Sequence, residues 1–305
     1  MINKFNYRCD DVFAVIVTYN PNIQELKELL YSLLPQVAKA IVVDNGSSVD
    51  AAVWFDYSKY ENLNLHKLGQ NYGIAHAQNI GIEMLHVDPT GFILLSDQDS
   101  KPAENMVFEL RNALKKLIES GNQVAAVGPC FIDVRQNNPP PFIKTEGLSI
   151  KRQYSENLNN VVEVDHVIAS GCLIPVQVFD SVGLMDKNLF IDYVDIEWCL
   201  RAKELGFKSY GIFSAKMNHN LGDEHVDFMG RKVTIHSPLR HYYLIRNGFW
   251  LYKQKNLPLN WKLVDGYRML LRICFYTIFA KPRSKHFIMM MRGLLHGLRS
   301  RMGRY

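Results

Sequence analysis

Three short apolar runs, each closed by a polar turn and separated by helical segments, leave this chain few architectures. Val12–Thr18 (VFAVIVT), Ala40–Val43 and Gly91–Ser96 read as buried strands bounded by turn signals. The leucines at 26, 29, 30, 33 and 34 fall on one face of a helix over Gln24–Leu34. Ile74–Leu85 and Glu104–Ile118 read as two more helices. Strand, helix, strand, helix, strand predicts a parallel sheet covered on both faces, an α/β fold. A chain of 305 residues, 48% hydrophobic and 21% charged, can bury such a core in one large domain, with or without an appendage. Beyond the repeat, residues 134–163 begin with Asn137–Pro141 (NNPPP) and stay polar, which predicts a loop crossing the surface. Apolar residues return over Val164–Pro175, and Glu197–Leu205 predicts a helix stopped at Gly206.

The turns that close the strands carry the chemistry. Phe92–Leu95 runs into Asp97 and Asp99, one residue apart. Strands of open α/β sheets present their carboxyl ends to the ligand crevice. Two carboxylates there suit a hard cation such as Mg²⁺ or Mn²⁺, which in turn clamps phosphates. A solvated turn with two acids is the plain alternative. Thr18-Tyr19-Asn20 and Asp44-Asn45-Gly46-Ser47 close the other two strands, so all three turns line one sheet edge. Asp44 is placed to accept the imide N–H of uracil or thymine, with Thr18 and Asn45 as further polar contacts. Small residues in Asn71–Gly81 (NYGIAHAQNIG) would let a helix approach a ligand closely, though helix packing alone also explains them.

A second cluster, Phe190–Arg201 (FIDYVDIEWCLR), sets Asp192, Asp195 and Glu197 at the start of a helix. Acids there are common dipole partners, but group transfer also needs a base for the acceptor hydroxyl, and Asp195 is the best candidate. His219 follows as a candidate metal ligand beside Asp99. Arg240 and Arg246 have the guanidinium geometry to reach a diphosphate.

The absence of GxGxxG after the first strand, of GxxxxGK[ST] and of GxSxG argues against dinucleotide, P-loop and hydrolase-elbow readings. Five scattered cysteines without CxxC make a structural zinc site unexpected. The first residues lack the apolar core of a secretory signal, so a cytoplasmic protein is expected. From Val264 onward nine Lys or Arg face a single acid, Asp265. The apolar stretches Met269–Ala280 and Phe287–Leu298 are too short to span a bilayer and predict interfacial helices for an anionic membrane surface. Few aromatics and many aliphatics in this tail make nucleic acid an unexpected partner.

In order, VIVTYNP, IVVDNGSS, NYGIAHAQNIGI, LLSDQDS, SGCLIP, LFIDYVDIEWCLRA, HNLGD and HSPLRHYYLIRN resemble the family 2 glycosyltransferases, and the bacterial rhamnosyltransferases most. The resemblance spans about residues 12–250 and fades in the tail. It implies a GT-A nucleotide-sugar-binding fold over residues 1–255, with 256–305 as a helical, basic and apolar membrane-associating extension. It also implies inverting, metal-dependent transfer from a nucleotide-activated sugar. Asp44 matches the family's base-recognition acid, Asp97 and Asp99 its metal-binding DxD, and Asp195 the catalytic base. The base is the second residue of a usual Glu-Asp pair whose first position is Val194 here, leaving Asp192 or Glu197 to support it. His219 matches a histidine that some members give to the metal. The expected donor contacts are Thr18, Asn20, Asp44, Asn45, Asn71, Gly73, Asn79, Asp97, Arg240 and Arg246. Ser170, Gly171, Asp192, Glu197 and Trp198 fall to the acceptor or to support of the base. The expected donor is dTDP-L-rhamnose and the expected acceptor a lipid-linked surface glycan, at the inner face of a bacterial membrane. A UDP-sugar donor and an inactive nucleotide-sugar-binding scaffold are the alternatives.

Overall fold

The computed structural model describes residues 7–50, 60–132, 140–154, 160–219, 224–228 and 231–305, with only the backbone described at 132, 219, 224–228 and 231–234. The first half follows the predicted alternation: β1 (Cys9–Thr18), α1 (Ile23–Leu33), β2 (Val37–Asp44), β3 (Leu63–Lys67), α2 (Ile74–Leu85), β4 (Phe92–Asp97), β5 (Ser100–Pro102), α3 (Met106–Glu119) and β6 (Val124–Ile132). Asn22 caps α1 by accepting from the backbone N–H of Gln24 and Glu25. Leu26, Leu29, Leu30 and Leu33 of α1 are fully buried, each contributing about 1.5–3 kcal/mol of transfer free energy.

The second half adds β7 (Phe142–Glu146), β8 (Ser149–Gln153), β9 (Val161–Val164), β10 (Cys172–Pro175), α4 (Val178–Val182), α5 (Val194–Glu204), β11 (Lys208–His219), β12 (Glu224–Phe228) and β13 (Arg231–Ile235). The central sheet runs β3-β2-β1-β4-β10-β6-β11-β5, with β9 paired on β11. The pairs β1–β2, β1–β4, β2–β3 and β6–β11 are parallel. The pairs that β10 makes with β4 and β6, and β11 with β5 and β9, are antiparallel. Residues 140–153 correct the surface-loop expectation. Phe142–Gln153 is a β-hairpin turned at Gly147, whose φ of +59° suits glycine. Polar residues on both of its faces hid the strand period.

The sheet packs on two layers. Ala14 and Ile16 of β1 join the core beneath α1 and α3, whereas Val15 and Val17 join the one beneath α2 and α5. Gly81 of α2 lies against Val15 and Val43, with no room for a Cβ. At Gly81 the small residue serves helix-on-sheet packing, whereas Gly73 of the same stretch lines the cleft.

Three long helices close the molecule: α6 (Pro238–Lys253), α7 (Leu259–Phe279) and α8 (Arg283–Leu298). Ser237 caps α6 and Pro238 opens it. Gly293 and Gly297 bring α8 onto α6 so closely that a Cβ would strike the carbonyls of Tyr242 and Arg246. The last residues fold back: Gly303 N–H donates to Asn188 O at 2.8 Å and Tyr305 N–H to Tyr243 Oη at 2.8 Å. The tail is therefore stitched into the domain. Among the described residues no helix is long and apolar enough to cross a membrane.

Candidate active site

Strand order places β1 and β4 side by side while their neighbours diverge, the switch point at which open α/β sheets open a crevice. Register aligns the predicted ends: Thr18 lies opposite Asp44, and Val17 opposite Asp97. A cleft of about 780 Å³ opens there, lined by Tyr19, Asn45, Asn71, Asp97 and Asp99 and, across it, by Asp195. Gln98 ties the rim together, accepting from Tyr19 N–H at 2.8 Å and donating to Tyr19 O at 3.4 Å.

The rim loops are locked by their own polar side chains. Asp44 is buried and accepts from Thr18 Oγ1 at 3.2 Å and from the N–H and hydroxyl of Ser47. Asn20, with φ of +45°, accepts from Ser48 N–H and Oγ. Thr18, Asn20 and Asp44 thus shape the loop, and Asn45 of the same turn meets the cleft. Asn45 Nδ2 donates to Asn71 Oδ1 at 3.1 Å, and Asn71 Oδ1 also accepts from Gly73 N–H at 2.9 Å. Gly73, at φ +92°, sits where a Cβ would hit Phe190 O. Ile74 N–H donates to that carbonyl at 2.7 Å. The nucleotide-side loop and the acid-bearing segment touch at this point.

The acid-bearing segment is backbone-strained. Phe190, Asp192 and Tyr193 all have φ between +64° and +66°, a region costing about 1–3 kcal/mol per non-glycine residue. Asn247 holds it, donating from Nδ2 to the carbonyls of Leu189, Ile191 and Asp192 at 2.8–2.9 Å. Arg246, fully buried, donates to Leu189 O at 2.8 Å and also to Asn188 O and Gly303 O. This corrects the diphosphate expectation for Arg246: its charge is spent on carbonyls away from the cleft. Arg240 does line the cleft and donates to Asp192 Oδ1 at 3.3 Å.

Asp195 sits in the first turn of α5, half-buried and facing the cleft, its Oδ1 accepting from Ile196 N–H at 2.9 Å. Asp192 lies beside it with its side chain 15% exposed, and its Oδ2 has no hydrogen-bond partner among the described residues. Burial raises its carboxyl above the usual aspartate range, and Arg240 only partly offsets this. Of the two candidates to support the base, Asp192 is in the cleft and Glu197 is not. Glu197 is buried in a two-pronged pair with Arg201, at 2.8 and 3.0 Å, which also donates to Val182 O and Leu184 O. Trp198 is likewise core, donating from Nε1 to Gly183 O. Asn79 brackets the backbone of Met185, accepting from its N–H and donating to its carbonyl. Ser170 is buried on Ser100, and Gly171 packs on Pro129. Glu197, Trp198, Asn79, Ser170 and Gly171 hold the walls and do not line the cleft.

His166 is the residue the sequence reading missed. It lines the cleft with Asp195, and its Nδ1 has no hydrogen-bond partner among the described residues. Burial lowers its pKa, against the pull of the Asp195 and Asp165 charges. The available signal was the polar pair Asp165-His166 between Val164 and Val167. The tail was missed as well: Trp261, Asp265, Arg268 and Arg272 of α7 form one wall of the cleft. Asp265 accepts from the hydroxyls of Tyr193 and Tyr252, both at 2.6 Å, and lies 3.8 Å from Arg272.

For a divalent cation, Asp97 and Asp99 offer the hard oxygen donors that Mg²⁺ or Mn²⁺ takes while keeping water and phosphate ligands, so the donor set fits. His219 pairs with Ser100 in the backbone register, next to Asp99, but its side chain lies outside the described residues. Among the described residues no three His, Cys, Asp or Glu gather as a metal cluster.

No protein-family model matches the chain. Over 255 residues, 82% of either chain, it is 38% identical to the dTDP-rhamnosyl transferase RfbF of Shigella flexneri. Over 303 residues, 97% of this chain and 93% of the other, it is 22% identical to the low-salt glycan biosynthesis hexosyltransferase Agl10 of Haloferax volcanii. Its fold is similar to the crystal structure of GalNAc-T7 with UDP, GalNAc and Mn²⁺, at a TM-score of 0.58 and 13% identity. That match covers 89% of this chain, which spans 58% of the GalNAc-T7 chain.

Proposed function

This chain belongs to the family 2 glycosyltransferases of GT-A fold, beside the rhamnosyl and hexosyl transferases it matches, and on that premise we propose that it transfers L-rhamnose from dTDP-L-rhamnose to a hydroxyl of a lipid-linked surface glycan, with inversion. The observation that carries this reading is the single cleft shared by the strand-end residues Tyr19, Asn45, Asp97 and Asp99 and the helix-start carboxylate Asp195. The donor named for RfbF supplies the sugar.

Tyr19, Asn45 and Asn71 receive the nucleoside, and Asp44 takes the imide N–H with the acceptor capacity that Thr18 and Ser47 leave it. Asp195 removes the proton from the acceptor hydroxyl, whose oxygen attacks the anomeric carbon on the face opposite the diphosphate. Asp192 and Arg240 flank the base, and Arg240 is a cleft arginine whose guanidinium suits the departing diphosphate. Bound through Asp97 and Asp99, with His219 as a candidate third ligand, Mg²⁺ or Mn²⁺ supplies Lewis-acid neutralisation of the diphosphate charge.

The extension meets the inner membrane face. Leu259, Tyr267, Leu270, Leu271 and Ile278 of α7 are each more than half exposed, an apolar stripe next to Lys281, Arg283 and Lys285 that suits anionic lipid.

The test is nucleotide release from dTDP-L-rhamnose, UDP-glucose, UDP-galactose and UDP-galactofuranose with Mn²⁺, Mg²⁺ or EDTA. Metal-dependent release of dTDP alone is expected. Release from a UDP-sugar would keep the mechanism and overturn the donor, and binding without turnover in the presence of glycan acceptors would favour a scaffold. For the membrane, Leu271→Glu with Ile278→Glu is expected to abolish co-sedimentation with phosphatidylglycerol vesicles, and undiminished sedimentation would refute the contact.

A further inference from the structure

The cleft continues outward past Asp195 into a groove of about 570 Å³ between the β7–β8 hairpin and α7. Ile150, Val264 and Arg268 line both spaces, so the groove and the catalytic cleft are continuous. Ile150 and Arg152 lie two residues apart on one face of β8. Leu263, Tyr267 and Arg268 lie about one turn apart on α7. Leu148, at the hairpin turn, completes an apolar lining with two guanidiniums set in it.

Those two arginines lack partners. Among the described residues the side chain of neither Arg152 nor Arg268 makes a hydrogen bond or ion pair, whereas Arg272, one turn further along α7, has Asp265 and Tyr193 Oη. Asp265 is already shared with the hydroxyls of Tyr193 and Tyr252. Burial first, then the nearby charge of Arg272, lowers the pKa of Arg268, and Asp265 offsets this only in part. Arg152 is exposed and Arg268 half-buried, so positive charge runs along an open apolar groove and complements an amphiphile with an anionic head.

We propose that this groove is the acceptor-anchoring subsite, in which Arg152 and Arg268 grip a phosphate or diphosphate while Leu148, Ile150, Leu263 and Tyr267 hold the first part of its apolar chain. The site rests on the transferase reading above and deepens it. The phosphorylated chain lies at the groove, and the sugar it carries reaches inward to Asp195.

The test titrates the full-length protein with farnesyl diphosphate, inorganic diphosphate and farnesol as probes. Farnesyl diphosphate is expected to bind more tightly than either fragment, and Arg268→Gln and Arg152→Gln each to weaken it about tenfold. Leu263→Glu is expected to weaken it without affecting inorganic diphosphate, and thermal melting confirms that each variant folds. Equal binding by wild type and both arginine variants would overturn the proposal. So would farnesol or inorganic diphosphate binding as tightly as the whole amphiphile. Phosphatidylglycerol vesicles displacing the probe through the same two arginines would assign the groove to bulk membrane and overturn the acceptor role. Donor turnover by the unaltered protein is read separately: arginine-dependent probe binding with no turnover of any sugar nucleotide in the presence of glycan acceptors would break the transferase reading and, with it, the acceptor role, leaving only an amphiphile-binding groove.

Discussion

The cleft has two walls made in different ways. On the nucleotide side, parallel strands deliver Tyr19, Asn45 and Asp97 to one edge, and short-range bonds among Thr18, Asp44, Ser47, Asn45 and Asn71 hold the turns. That wall is held by its own loops. The base side consists of a strained segment, Phe190–Tyr193, whose carbonyls are held by Asn247 and Arg246 of α6, which is in turn packed under α8 and the folded-back C-terminus. Its geometry comes from residues more than fifty positions away in sequence. The contrast teaches that one active site can combine a self-supporting half with a half that exists only after the tail has docked.

The largest test of this contrast falls on the base itself. Asp195→Asn should lower transfer by about 10²–10⁴ while nucleotide binding persists, because the nucleotide wall does not depend on that carboxylate. Turnover near wild type, followed by nucleotide release, would remove Asp195 from the role. Next comes the clamp. Asn247→Ala takes the side-chain donor from the Ile191 and Asp192 carbonyls and should cost about 2–4 kcal/mol in a denaturant melt, with kcat falling more than donor affinity. An equal loss of both would mean the two walls are not separable.

Farther from the site, Gly297→Val sets side-chain atoms against the Arg246 carbonyl and should cost about 1–3 kcal/mol. Its diagnostic is again kcat: a stability loss with unchanged turnover would free the base segment from its dependence on α8. The smallest effect is in pH. Burial raises the pKa of Asp11, on β1, but the bonds from Arg111 and Lys115 outweigh it and hold the carboxyl below its ordinary value. The stability Asp11 contributes is therefore present above the unfolded value and lost as pH falls through the lowered folded value. Asp192 has the opposite sign: its pKa is raised, so its contribution is present at low pH and lost as pH rises through the raised value. Asp11→Asn should flatten the acid limb of a stability–pH curve by about 1 kcal/mol or less, and Asp192→Asn should remove the decline on the other side. Matching limbs in the two variants would mean that Asp192 carries no buried charge for the fold to resist.

Much of the nucleotide wall was legible because its signals are local. The run Phe92–Leu95 followed by Asp97 and Asp99 states a strand and its polar end within ten residues, and β4 spans Phe92–Asp97. Within the 134–163 stretch read as a loop, Phe142–Gln153 misled because the hairpin alternates no apolar face to read; residues 133–139 and 155–159 lie outside the described residues. His166 was invisible because a single histidine carries no pattern until the fold brings it to Asp195.

Periodicity and turn chemistry act over a few residues, so the alternating sheet and the acids at its strand ends could be read along the chain, while the family followed from the order of the motifs and the match to RfbF. Tertiary structure decided which candidates meet the cleft. Arg240 and Arg246 share one helix, yet six residues is not a whole number of turns, so they leave it in different directions. Only packing under α8 decides that Arg246 is buried as a clamp while Arg240 faces the cleft. The tail changed most: basic and apolar along the chain, it becomes a wall of the active site because α7 docks against β7 and Gly293 and Gly297 let α8 close on α6. Those contacts join residues far apart in the chain, and a local pattern does not encode which distant surface a helix face will meet.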